Sequence, residues 1–430
     1  MQYLQSDKVD DSWSFREIDR LGTSYLTHSY HRYPAKFIPQ LAARLIKENS
    51  QIGELVCDPF MGSGTTLVES IVNDRRTYGT DINPVAALIT RVKTTPIDPQ
   101  YLESIISTLK LRIKTNLIDG NSQTPLLKRD DDFKVVFSVN NRIDYWFPEK
   151  QKHDLSIILS GIMTISEDEN IRNFLVCAFS NILKGCSRWM MKSIKPTIDK
   201  EKTINDAYSS FFIHIQRMLN KNRQFWKILK EKKIECTVDN VDVRNMRLND
   251  DSVALIVTSP PYVTSYEYAD LHQLTAIWLG YTEELSEFRT KFIGSIKKKE
   301  LTKVRLYSDL GKTIVENLRL IDKREADAIE HYFFDMQQCF EEMYRILMLG
   351  GRTCIVIGDT DINKVKIHNA DVFVQTLKKM GFNIHNIVKR QIPSRALPLT
   401  RDEKTGRFVG TMKSNRLAYP FEYVLIMEKA

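Results

Sequence analysis

Leu55-Val-Cys-Asp-Pro-Phe-Met-Gly-Ser-Gly-Thr-Thr66 is the stretch whose reading decides the fold. Leu55–Cys57 closes an apolar run of the length of a buried strand, and a loop follows from Asp58 to Thr66. Leu67, Val68, Ile71 and Val72 then recur at helical spacing. A second strand over Thr77–Thr80 ends at Asp81. Strand, glycine turn, helix, strand and acid in that order form a βαβ unit. Its strands must be parallel, which predicts an open α/β sheet.

The loop itself limits the ligand. Gly62 and Gly64 let a ligand approach backbone where a side chain would collide, and the helix that begins at Thr65 presents free N–H donors. A nucleotide phosphate loop does not fit, because Thr65-Thr66 stands where Lys-Ser/Thr would and Asp58 puts a negative charge at the mouth. A dinucleotide loop would need a third glycine. The acid suits a cationic ligand, such as the amino group of a methionine moiety. Asp81, roughly 20 residues further on, stands where an acid hydrogen-bonds two ribose hydroxyls. The plainer alternative is a structural turn capped by Asp58.

A second constellation lies far along the chain. The strand Ala254–Val257 leads into Thr258-Ser-Pro-Pro-Tyr262. Two prolines fix the backbone and remove two N–H donors, leaving the Ser259 hydroxyl and the Pro260 carbonyl as acceptors beside the aromatic face of Tyr262. That set suits a flat heterocycle carrying an NH2 group. An aromatic amine is a poor nucleophile, because its lone pair is conjugated into the ring. Accepting both amine hydrogens frees that lone pair for attack on an electrophilic methyl group, with neither a cysteine nucleophile nor a metal. A base inside a duplex cannot reach this geometry and must be flipped out and stacked, with Tyr262 as the platform. A strand-terminating turn is the alternative.

Further strands are expected at Cys236–Val238, at Arg352–Ile357 after a Gly350-Gly351 turn, and as an antiparallel hairpin of Val388–Ile392 with Tyr423–Met427. Residues 98–235 read instead as a mostly helical insertion. Ile171, Leu175, Ala178 and Ile182 share one helical face, as do Phe211, Ile215, Met218, Phe225 and Leu229. The expected division is thus 1–97, the helical insertion 98–235, and 236–430.

The bulk numbers agree with an ordinary globular chain: 430 residues, 42% hydrophobic and 27% charged. The net charge of +8 is concentrated, since Lys184–Lys233 holds 13 Lys/Arg against 4 Asp/Glu. Such a segment fits a polyanion, and a solvated helical face is the bland alternative. Lys297–Lys299 and Arg395–Arg416 are basic too. No apolar run approaches the roughly 18 residues of a membrane span, and Met1–Asp11 lacks a signal core. The six cysteines are scattered without a C-x-x-C pair, and His28 with His31 offers too few ligands for a metal site. No metal, no membrane and a reducing cytoplasmic setting are the expectations. Trp189, Trp226 and Trp278 are expected in the core.

Together, D-P-F-M-G-S-G-T-T and T-S-P-P-Y closely resemble the loops of the N4-cytosine/N6-adenine DNA methyltransferase family. The resemblance implies a Rossmann-like fold with S-adenosylmethionine (SAM) as cofactor. Asp58, Pro59, Phe60, Gly62, Ser63, Gly64, Thr65 and Thr66 would surround its methionine portion, with Asp81 at the ribose. It likewise implies that Ser259, Pro260, Pro261 and Tyr262 form the catalytic loop. Ser at the first position is more typical of N4-cytosine members and Asp of N6-adenine members.

His31-Arg-Tyr-Pro-Ala-Lys-Phe37 looks like the family segment that folds over the methionine end, which adds Tyr33, Pro34 and Ala35. Val241-Asp-Val-Arg244 looks like its G-D-A-R element without the glycine, placing Asp242 near the adenine amino group. The resemblance covers roughly 28–95 and 236–285, with trailing matches at 330–360 and 420–430. Double-stranded DNA, and a cognate restriction endonuclease, are the partners it implies, with the insertion 98–235 between the two halves as the candidate target-recognition and DNA-binding region and a structural helical cap as the alternative. An N6-adenine enzyme, an RNA methyltransferase and a non-catalytic DNA-binding subunit stay open, although a binding module has no use for Ser-Pro-Pro-Tyr.

Overall fold

The structure is a computed structural model that describes residues 8–19, 21–34, 36–118, 141–193, 195–263, 268–293, 304–392, 400–401, 408–409 and 421–430. Its strands are β1 (Leu55–Asp58), β2 (Arg76–Thr80), β3 (Cys236–Asp239), β4 (Val253–Thr258), β5 (Leu347–Ile357), β6 (Thr360–Ile362), β7 (Val365–Ile367), β8 (Phe382–Gln391), β9 (Thr400–Arg401), β10 (Phe408–Val409) and β11 (Phe421–Lys429). Seven of them form one sheet in the order β3-β2-β1-β4-β5-β11-β8. β3 to β5 are parallel, and β11 runs antiparallel between β5 and β8. This is the expected open sheet with its terminal hairpin, in which Val424 pairs with Val388.

Side chains alternate between two apolar faces, because successive strand residues point to opposite sides. Val56, Leu255, Val257, Cys354 and Val356 pack with Leu41, Leu45 and Ile46 of the helix Pro39–Asn49. Cys57, Ile256, Ile355 and Ile357 face the other way, onto a core shared with the helix Lys323–Ile346. All six residues of β4 are buried, as befits a central strand.

Two strand limits differ from expectation. The Gly350-Gly351 pair lies inside β5: the partner of Val253 is Leu347 and that of Leu255 is Arg352, so the extra β5 residues bulge out. Gly350 accommodates the bulge at φ +72°, a region that favours glycine. β8 begins at Phe382, earlier than the apolar run suggests. Its first half is largely exposed, so apolar content underestimates its length.

Among the described residues, 99–229 supply five helices, Pro99–Ile118, Asn141–Trp146, Glu149–Ile165, Glu169–Ile182 and Ala207–Leu229, inserted between β2 and β3. Both helical faces named above are buried. They share one core with Val85, Leu88 and Ile89 of the helix Pro84–Thr94 and with Trp278, apart from Phe225 and Leu229, which pack on Val68 and Ile71. Trp189 and Trp278 are buried, whereas Trp226 is only half-buried. Among the described residues, no helix is long and apolar enough to cross a membrane, and no cluster of His, Cys, Asp or Glu could hold a metal ion. Lys297–Lys299 and nearly all of Arg395–Arg416 lie outside the described residues.

Candidate cofactor and base site

The C-terminal ends of parallel strands release their loops on one edge, which is where open α/β sheets bind ligands. Here β1, β2 and β4 open onto a cleft of about 830 Å3, counted out to its solvent mouth. Its walls include Tyr33, Asp58, Pro59, Phe60, Gly62, Ser63, Thr65, Asp81, Asp242, Ser259 and Pro261. The two distant loops and the three acids therefore meet in one space.

Asp58 ends β1 and is almost fully buried. Its Oδ1 accepts from the Phe60 N–H at 3.1 Å and from the Thr258 hydroxyl at 2.7 Å. Burial pushes its carboxyl up to about 6, partly offset by the Thr258 hydrogen bond. Gly62 passes close under Tyr33, where an added Cβ would lie 3.2 Å from the ring. Gly64 caps the helix Thr65–Val72 at φ +70°, and a Cβ there would meet Thr90 Cγ2 at 2.7 Å. The Thr66 hydroxyl donates to the Val257 carbonyl at 3.1 Å, fastening the helix start to β4.

Asp81 follows β2, and its two oxygens accept from the Gly62 N–H at 3.0 Å and the Asn83 N–H at 2.9 Å. Burial raises its carboxyl to about 6 as well. Asp242 caps the turn Val243–Asn245 and is gripped by Arg244, with Nε at 2.9 Å from one oxygen and Nη2 at 2.5 Å from the other. Pro34 is half-buried beside Tyr33 but is not part of the wall, and Ala35 lies outside the described residues.

In the Thr258–Tyr262 loop, Ser259 and Pro261 reach the cleft, whereas Pro260 between them is buried and, like Gly64 and Thr66, is not part of its wall. The Pro261 carbonyl accepts from the Tyr332 hydroxyl at 2.8 Å, which anchors the second proline to the helix beneath. Tyr262 is placed differently. It does not belong to the cleft wall: its ring lies over Gly358, 3.2 Å from where a Cβ would stand, and its hydroxyl donates to Glu422 at 3.4 Å.

Several wall residues escaped the sequence. Lys291, Phe292 and Ile293 close the cleft from a segment without a motif, while Lys36, Phe37, Met61 and Val243 stand inside the motif segments without having been singled out, and Ile82 follows Asp81. Lys93 is buried, and its ammonium donates to the Ser63 carbonyl. A lysine following Val92 on an apolar helix was the available signal.

The donor set fits a sulfonium amino-acid nucleoside. Two positions admit no Cβ without a shift in the neighbours, and three acidic side chains, Asp58, Asp81 and Asp242, line the same cleft as an open helix N-terminus. A model of the DNA methylase family, which unites N6 and N4 methyltransferases, matches residues 2–91 and 253–430. The chain belongs to that family, and is a SAM-dependent DNA methyltransferase. It is similar to the type II methyltransferase M.MvaI of Kocuria varians, at 26% identity over 448 residues covering 97% of this chain and 96% of the relative. It also resembles M.MjaII of Methanocaldococcus jannaschii, at 23% identity covering 70% of this chain and 72% of that one. Among solved structures, a SAM-dependent methyltransferase from Methanosarcina mazei is 10% identical with a TM-score of 0.29, covering 93% of this chain and 98% of that chain.

Proposed function

We propose that this protein methylates the exocyclic N4 of cytosine in double-stranded DNA, as the modification enzyme of a type II restriction–modification system with a cognate endonuclease. The observation that carries the base preference is Ser259 at the head of the Pro-Pro-Tyr loop, on the wall of the cleft that also holds Asp58 and Asp81. SAM, when bound, supplies the electrophilic methyl group. Asp81 holds the ribose hydroxyls, the Asp58–Thr66 loop and Tyr33 hold the methionine end, and Asp242 stands at the adenine side.

The flipped base brings its amine to Ser259. The Ser259 hydroxyl and the Pro260 carbonyl accept the two amine hydrogens, so the nitrogen turns tetrahedral and its lone pair becomes available for attack. These acceptors strengthen as the barrier is climbed, which is the kind of interaction that raises rate. Tyr262 stacks on the base, a role supported by its place one residue beyond Pro261; to meet the base its ring would have to turn from Gly358. Residues 1–97 and 236–430 form the two halves of the methyltransferase domain, and 98–235 recognises the target. That division is supported by the family match, which skips residues 92–252.

Nucleoside mass spectrometry on DNA and RNA from cells expressing the protein tests this reading. N4-methylcytosine in DNA is the expected product. N6-methyladenine would move the enzyme to adenine, a modified nucleoside confined to RNA would change the polymer, and no modified nucleoside in either would remove the activity.

A further inference from the structure

The basic segment Lys184–Lys233 divides into two parts at opposite ends of one long helix. The helix Ala207–Leu229 has 23 residues, which at 1.5 Å per residue spans roughly 34 Å. Its start lies at the cleft end, where the Asn205 N–H donates to the Gly185 carbonyl just past the helix Glu169–Ile182. That helix ends against the cleft rim, since Ser180 bonds His31 at 2.8 Å and Asn181 accepts from the Arg32 N–H at 3.1 Å.

The far end of the long helix lies below the sheet. Asn222 holds both backbone groups of Ile97, beyond the C-terminus of the helix that descends from Asp81. Lys232 then pairs with Asp74 at 2.7 Å, at the start of β2. Lysines 221–233 are thus on the edge away from the cleft. Arg223, Lys230 and Lys232 are also already ion-paired there.

The upper part is a short antiparallel hairpin. Trp189 bridges Ile198, the Met190 N–H donates to the Thr197 carbonyl at 2.8 Å, and the Asp199 N–H donates to the Arg188 carbonyl at 2.9 Å. Its base is rigid. Trp189 is buried and stacks on Trp146 at 5.3 Å, and Lys202 donates to the carbonyls of Lys184, Ser187 and Trp189 at 2.7–2.8 Å. The same stack leads to the cleft. Trp146 donates to Gln273 at 3.2 Å, and the neighbouring His272 touches Asn83 at 2.7 Å and packs on Tyr33. The stretch 184–202 holds six Lys/Arg against two acids. Among the described residues none of the six forms an ion pair: Lys184, Arg188 and Lys202 donate to neutral carbonyls, while Lys192, Lys195 and Lys200 stand exposed.

We infer that the hairpin Arg188–Asp199, with Lys200 at its foot, is the phosphate grip that holds the DNA duplex beside the cleft, and that the Lys221–Lys233 end of the segment does not touch DNA. The inference rests on DNA being the substrate. A charge that is unpaired, held on a rigid base and coupled to the cleft rim attracts the polyanion at the place where a base must be extracted. The lysines below the sheet stand on the edge opposite the one where the cleft opens, and three of the basic side chains there are already ion-paired.

Two triple variants separate the ends: Lys192→Gln/Lys195→Gln/Lys200→Gln above and Lys221→Gln/Lys227→Gln/Lys233→Gln below. Affinity for a mixed-sequence duplex longer than two helical turns is measured by fluorescence anisotropy against salt. The upper triple should flatten the slope of log affinity against log salt by about 0.9 for each phosphate it no longer neutralises. The lower triple should leave it at the wild-type value. An unchanged slope in the upper triple, or an equal flattening in the lower one, overturns the inference. Tritium transfer from labelled SAM to bacterial genomic DNA by the wild type is run alongside. If that transfer occurs and the upper slope is unchanged, only the hairpin falls. If the wild type modifies no DNA, the substrate reading falls and the hairpin with it.

Discussion

The Asp58 carboxylate accepts the Thr258 hydroxyl at 2.7 Å across 200 residues of chain. Parallel pairing of β1 with β4, with Val56 opposite Leu255, carries both strand ends to the same edge. The hydrogen bond then locks the glycine loop to the residue directly before Ser259, so the two loops share one frame.

Thr258→Val should loosen that frame and expose its electrostatics. Burial raises the Asp58 carboxyl to about 6, and the Thr258 donor pulls it down; without the donor it should rise further. The folded state then holds this proton more tightly than the unfolded chain does. The contribution of Asp58 to stability therefore declines as pH rises from the ordinary carboxylate range through the folded value, and is flat above it. If the carboxylate form attracts the cationic end of SAM, affinity should fall on acidification below about 6 in the wild type and from a higher pH in the variant. Calorimetric titration of SAM across pH checks this. Coincident pH profiles would mean that Asp58 does not act through its charge.

Asp81→Ala removes an acceptor from the proposed ribose site and also frees the Gly62 and Asn83 N–H groups. Hydrogen bonds to charged groups contribute about 1.5–3 kcal/mol, which is a loss of roughly 10- to 150-fold in SAM affinity. Unchanged affinity by calorimetry would take this acid out of the cofactor site.

Ser259→Ala should leave SAM affinity nearly intact, because none of the hydrogen bonds that shape the glycine loop comes from Ser259. Duplex affinity should also hold, since phosphate contacts dominate it. The single-turnover transfer rate should drop on the order of 30- to 150-fold, from about 2–3 kcal/mol of lost barrier stabilisation. Transfer at the wild-type rate would remove the acceptor role and the reason for preferring cytosine.

Gly64→Ala tests the cradle. The new Cβ would stand 2.7 Å from Thr90 Cγ2 and 2.8 Å from its Oγ1, at a φ of +70°. Overpacking of this kind costs about 1–3 kcal/mol, and the helix start it displaces carries Thr65 and Thr66. Lower thermal stability and weaker SAM binding are expected together. Thr90→Ser in the same chain removes only Cγ2 and should restore part of both. A double variant no better than the single one would take the loss away from Cγ2 and assign it to the backbone conformation together with the remaining Oγ contact.

The amino-acid sequence by itself determined the parallel core, the terminal hairpin and the residues that shape both loops. These depend on local facts: side chains alternate along a strand, glycine alone relieves a tight turn, and proline removes N–H donors wherever it stands. The acids at the ends of β1 and β2, Asp58 and Asp81, were legible for the same reason, because a parallel βαβ unit delivers both to one edge. Tertiary structure alone decided what those groups meet. The pairing of Asp58 with Thr258, the closure of the cleft by Lys291, Phe292 and Ile293, and the bond from Lys93 to Ser63 join residues whose separation in sequence carries no periodic signal. Tyr262 followed the motif in sequence yet lies over Gly358, because a ring settles where a missing side chain leaves room. The basic segment reads as one block of charge, and only a helix of 23 residues sets its two ends on opposite sides of the sheet, since summed charge carries no direction and a helix axis does.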